Sequence, residues 1–242
     1  MFARHHGQGA FYALMPHGLM ALLFGAPFLC ALIALAMGAR NFRRDIGWAV
    51  DAPVETASFG RAATDAATLR YLDGGGMGCA KEEEKTDRRR FFHHLAFYGF
   101  LLCFAATSVA TLEHYLLGRQ APYPWYEPPV LLGTAGGLGL IIGPVGLLLA
   151  KWKRDVGATK ETRHGVDVAF LAMLILTSLT GFALLFLRST SAMGLLLALH
   201  LGLVLALFLT LPYGKFVHGL YRYLALSRYA QDRRELAKIS EE

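Results

Sequence analysis

The chain has 242 residues, 55% of them hydrophobic and 17% charged, with a formal net charge of +6. Apolar residues gathered in runs of about 20 exclude a soluble globular core and point to an integral membrane protein. Cys30, Cys79 and Cys103 are too few and too scattered for a disulfide framework or a C-x-x-C metal motif, and they fall short of the four thiolates an iron–sulfur cluster takes.

In chain order, Met1 to Gly9 is polar and reads as no secretory signal, so 1–12 is expected to be a short tail. The first apolar span runs from Ala13 to Ala39. The stretch 40–91 lacks a clear periodicity and is expected to be a loop. Its Gly74-Gly75-Gly76-Met77-Gly78-Cys79 patch has neither the strand before nor the helix after that a phosphate loop requires. Lys81 to Arg90 reads as a solvated charge run meeting anionic lipid. Further spans are expected at Phe92 to Leu117, Pro129 to Ala150, Val166 to Leu187 and Gly194 to His218, and Tyr221 to Lys238 reads as a basic interfacial helix within the tail 221–242. Backbone groups in lipid must be paired within the segment, so the spans are expected to be helices. The fold class is an all-α membrane bundle of about five transmembrane helices. The third span is glycine-rich, with Gly133 and Gly137, then Gly139 and Gly143, at the spacing that lets helices pack closely, and Pro144 is placed to kink it.

Charge sets the expected orientation. Met1 to Tyr12, Gly118 to Pro128 and Arg188 to Met193 hold three basic residues, Arg4, Arg119 and Arg188, and the remaining 21 of the 24 Lys and Arg lie on the other side. Positive-inside logic puts that other side, with loop 40–91 and the C-terminus, in the cytoplasm and the N-terminus outside. A bacterial inner-membrane location is expected.

Histidines carry the chemistry. His200 and His218 lie 18 residues apart in the last apolar stretch. On one continuous helix they would share a face about 27 Å apart, close to the hydrocarbon thickness. His93 and His114 bracket the second span 21 residues apart and about 60° out of phase, whereas His94 and His114 are about 160° out of phase. Antiparallel spans would set His93 level with His218 and His114 level with His200. That arrangement suits two stacked haems, each iron held through two imidazoles and thereby closed to oxygen chemistry. His94 is an alternate to His93, and His17 or His164 can replace a ligand from the second span. His5 and His6 read as solvated tail. Glu113 is a possible acceptor for the second ring nitrogen of His114, although adjacent residues face different ways. The loop Ala121-Pro122-Tyr123-Pro124-Trp125-Tyr126 reads as an aromatic belt segment.

Phe92 to Thr107, this APYPWY loop, Leu179-Thr180-Gly181, and Leu199-His200 through Leu211-Pro212-Tyr213-Gly214 to Arg222 together resemble the membrane part of the tricarballylate/citrate utilisation protein B family. The last span is also similar to the final helix of the respiratory nitrate reductase gamma subunit, where His200 and His218 match haem ligands. The resemblance implies an electron-transfer subunit. It would reoxidise a flavin-dependent tricarballylate dehydrogenase, take electrons through iron–sulfur clusters, and pass them by haem b to the quinone pool. It also implies an upstream ferredoxin-like cluster domain and a further helix in family members, so 13–220 is expected to be the haem-binding membrane half, served by an iron–sulfur partner. No catalytic residue and no nucleic-acid partner are expected. The alternatives are a tricarboxylate carrier, which would show repeated halves and broken helices at mid-membrane, and an inactive membrane fragment.

Overall fold

The computed structural model describes residues 9–47, 56–69, 80–152 and 161–241, and these form seven helices with no strand among the described residues. They are α1 (His17–Asp45), α2 (Thr56–Ala67), α3 (Ala80–Leu117), α4 (Pro128–Trp152), α5 (Glu161–Leu187), α6 (Met193–Thr210) and α7 (Lys215–Glu241). Five are long and apolar enough to cross a bilayer: His17–Asp45, Arg88–Leu117, Pro128–Trp152, Gly165–Leu187 and Met193–Thr210. Their outward faces carry large apolar side chains such as Leu22, Leu112, Leu131, Phe186 and Leu209, which water would penalise and lipid accepts.

Helix ends follow local chemistry. Prolines stand at the starts of α1 and α4, where a missing N–H costs nothing: Pro16 precedes α1, and Pro128 and Pro129 open α4. α3 ends at Gly118, whose φ of +65° lets its N–H reach the His114 carbonyl while the Arg119 N–H turns back to Glu113 O. α6 stops before Pro212, which cannot donate to the helix and biases Leu211 away from helical geometry. Leu211 to Gly214 forms a turn, with Tyr213 N–H on Thr210 O at 3.1 Å, and α7 begins at Lys215. The single span expected from Gly194 to His218 is therefore two helices. His200 and His218 lie on different ones, so the single continuous helix that their spacing assumed is not present.

The expected loop 40–91 also changes. Its described part holds the end of α1, the whole of α2 and the first turns of α3, so the charge run from Lys81 to Arg90 is helical. Lys, Glu and Arg are good helix formers, and opposite charges four residues apart support one another without any apolar stripe. The Gly74–Cys79 patch lies outside the described residues.

The chain divides into two compact units, Met1–Ala26 with Asp87–Phe208, and Pro27–Thr86 with Leu209–Glu242. In the first, α4 is the most buried span, and glycine explains it. A Cβ on Gly143 would stand 2.5 Å from Ala96 N and 2.7 Å from Phe92 O, and one on Gly136 would stand 2.7 Å from Gly99 O. The backbones of α3 and α4 thus touch along Gly136, Gly139 and Gly143; of the two pairs singled out by spacing, Gly139 and Gly143 make this contact, whereas Gly137 faces Phe182 and Ser178 of α5. Ser178 Oγ donates to Gly137 O at 2.8 Å and ties α5 to the opposite side of α4. Ala10, Leu184, Met193 and Leu197 form a small core beneath Phe11 and Leu14, so the segment ahead of α1 is packed against α5 and α6.

In the second unit α2 lies along α7. Ala62 and Ser227 are fully buried, and the Tyr223 hydroxyl donates to Phe59 O at 3.5 Å. Tyr221 stacks on Phe42 of α1 with ring centroids 4.9 Å apart.

Candidate functional site

The first unit contains two groups of fixed imidazoles. One is His200, on α6. Its Nδ1 lies 3.1 Å from the Thr177 carbonyl and 3.1 Å from Thr180 Oγ1, both on α5. A carbonyl oxygen only accepts, so Nδ1 carries the proton and Nε2 keeps its lone pair. The Thr180 hydroxyl donates in turn to Leu176 O at 2.9 Å, which leaves its oxygen facing the ring. Gly181 completes the setting: a Cβ there would stand 3.1 Å from His200 Cε1, so the imidazole lies against bare backbone. The Leu179-Thr180-Gly181 run is thus the support of His200, a role the sequence did not reveal.

The second group gathers at the end of α3. His17 and His114 stack with centroids 3.8 Å apart and planes 16° from parallel. Tyr12 and Tyr115 close around them edge-on, at 5.4 Å and 5.2 Å from His17. His114 Nδ1 is 3.2 Å from the Arg119 carbonyl and 3.4 Å from the Tyr12 hydroxyl. The Gly118 cap brings Arg119 back over the ring, so the fixing acceptor is again a backbone carbonyl and Nε2 is again left as the free lone pair. Glu113 is not that acceptor. It is buried and directed to Arg119 at 3.8 Å, and Arg119 also meets Glu127 at 3.3 Å. His17, reached from the sequence only as an alternate, is the residue the fold places against His114.

The loop after α3 is packed rather than merely interfacial. Tyr123 is buried, its hydroxyl donates to Ala110 O at 3.0 Å, and burial, with Tyr12 and the carboxylates of Glu113 and Glu127 adding, pushes its pKa up to about 12. Arg188 donates to Tyr123 O and lies 4.9 Å over the Trp125 ring.

The remaining histidines lie apart from these two groups in the sequence. His93 is half-buried on α3, beside the Phe92 ring that covers Gly146. His94 stacks on Tyr98 at 5.8 Å. His218 belongs to the second unit, exposed in the first turn of α7. Its pKa is held below the ordinary imidazole value, by desolvation first and then by the Arg222 and Lys215 cations. His164 lies on α5 with its side chain outside the described residues, as do His5, His6 and Cys79.

Five helices of membrane length, with no strand among the described residues, define an all-α, multi-span membrane protein. The chain belongs to the citrate utilization protein B family, whose model matches residues 1–238. It is 50% identical over 228 residues to the Escherichia coli protein described as "Citrate utilization protein B", covering 93% of this chain and 59% of that protein. The chain therefore spans about three-fifths of the length of this curated relative. No solved structure matches it. The resemblance carried by Phe92 to Thr107, the APYPWY loop and the final apolar stretch is borne out at the level of the family.

Proposed function

We propose that the chain is a membrane electron-transfer component that holds haem b through His200, with a second imidazole from the His17 and His114 pair, and serves citrate or tricarballylate utilisation. The observation that carries this reading is the His200 setting. Its Nδ1–H is committed to Thr177 O, its Nε2 keeps its lone pair, and the absence of a side chain at Gly181 lets the ring seat against α5. Metal-binding histidines use that combination, the second nitrogen's hydrogen bond fixing ring orientation and raising ligand basicity. His114, with Nδ1 on the Arg119 carbonyl, repeats it. A haem with two imidazole ligands supplies one-electron transfer rather than oxygen chemistry.

The protein's own residues then have defined tasks. Thr177 and Thr180 hold the His200 ring in one tautomer, Tyr12 and Tyr115 shield the His17–His114 stack, and apolar side chains exclude water. Electrons would arrive from a flavin-dependent dehydrogenase through an iron–sulfur protein or domain and leave to quinone. The family name supports the metabolic setting, and the histidine settings support the redox role.

A pyridine haemochrome spectrum of the purified chain tests this reading. Haem b is expected; a folded protein that takes up none under haem-replete expression defeats it. The charge distribution adds an orientation, with loop 118–127 outside. In a cysteine-free background, Gln120→Cys is expected to react with an impermeant thiol reagent applied to whole cells, and Trp152→Cys is not. The opposite pattern would invert the topology.

A further inference from the structure

The second unit contains a cavity of about 240 Å³ lined by Ala36, Ala39, Arg40, Arg43 and Leu224. Four of these residues recur at helical spacing and so share one face of α1. Leu224 of α7, itself buried, forms the opposite wall. The wall is fixed by Tyr221, whose ring stacks on Phe42 and whose hydroxyl lies 2.9 Å from where a Cβ on Gly38 would stand. Arg40 is exposed and Arg43 is half-buried.

We propose that this cavity binds the headgroup of an anionic phospholipid, with the guanidinium groups of Arg40 and Arg43 on the phosphodiester and the two alanines and Leu224 receiving the glycerol end of the chains. Three observations select this occupant. The cavity lies where α1, a helix of membrane length with Leu32, Ile33 and Met37 exposed, passes into its basic end. That is headgroup depth, and basic pockets beside membrane helices bind anionic headgroups there. The guanidinium fork matches phosphate oxygens in pairs, whereas a lysine would act as a point charge. The lining is part cationic and part apolar, as a headgroup joined to acyl chains requires and a free anion does not.

The test uses the full chain purified in neutral detergent, with phosphatidylglycerol, phosphatidylcholine and inorganic phosphate as probes, read by native mass spectrometry and by titration. Phosphatidylglycerol is expected to bind and phosphatidylcholine to bind far more weakly. Removing each charge in Arg40→Gln and Arg43→Gln is expected to weaken binding on the order of tenfold. Leu224→Trp fills the cavity while keeping both arginines, and is expected to abolish binding. Arg228→Gln, which removes a cation paired with Asp232 on α7 at 3.0 Å, is expected to change nothing. Should the arginine variants fail to fold, Leu224→Trp and Ala39→Leu decide the matter. Wild-type affinity in the filled variants, an equal loss in Arg228→Gln, or inorganic phosphate binding as tightly as phosphatidylglycerol would each overturn the proposal.

Discussion

His200 and His218 stand in the same apolar stretch of sequence and occupy opposite kinds of place. His200 rests against Gly181 with Nδ1 on the Thr177 carbonyl, inside a packed unit. His218 is exposed in the first turn of a basic helix, with Lys215 and Arg222 as its electrostatic neighbours. The difference teaches that spacing along a chain says little about whether an imidazole is fixed. What fixes it is an acceptor on one nitrogen and a missing side chain on the facing helix, and both come from elsewhere in the sequence.

The comparison is broken most decisively by His200→Ala, which is expected to remove the haem bound through that residue altogether, while His218→Ala leaves that haem in place. Haemochrome stoichiometry decides, and equal loss in the two variants would erase the distinction. Gly181→Leu comes next. Even a methyl group would press on Cε1, and overpacking typically costs about 1–3 kcal/mol, so haem retention is expected to fall on the order of tenfold or more. Thr180→Val should do less, because the Thr177 carbonyl still holds the ring. A hydrogen bond worth roughly 1 kcal/mol gives a few-fold faster haem loss in a transfer assay.

The smallest effect belongs to His218. Desolvation, with the Arg222 and Lys215 cations adding, holds its folded pKa below the ordinary imidazole value of 6.5, so folding favours the neutral ring. The stability this contributes is complete above pH 6.5 and is lost as pH falls through the depressed value. A ring-proton NMR titration should show a midpoint under 6.5 that rises when Arg222 or Lys215 is made Gln.

Much of the fold was legible. Apolar runs located all five spans, and the glycine spacing in α4 announced close helix packing without naming the partner, because burial in lipid and backbone approach are written in composition. The failures have physical causes. Leu211 to Gly214 is apolar enough to extend a span on hydropathy, yet Pro212 withholds a donor and ends the helix. α2 was overlooked inside the stretch 40–91, although Ala62 and Asp65, both buried, stand three residues apart on one face of it. Of the candidate site, the stacking of His17 on His114 was not legible, because the two rings come from separate helices whose approach no spacing along the chain encodes. The acceptor for His114 was sought in Glu113 and is a carbonyl placed by the left-handed Gly118, a turn whose return direction no local pattern specifies.

The backbone contact between α3 and α4 bears on how the protein is made. The two helices are joined by a loop of ten residues, Gly118 to Glu127, so the contact closes between sequence neighbours as soon as both have entered the bilayer. Contacts at Gly99, Gly136, Gly139 and Gly143 admit only one sliding position, since any shift sets a side chain against backbone. The hairpin can thus act as a template during insertion, presenting α5 with the Gly137 carbonyl that Ser178 takes. Once α5 has docked, Thr177, Thr180 and Gly181 are in place before α6 emerges, so the support of His200 is assembled ahead of the histidine it receives.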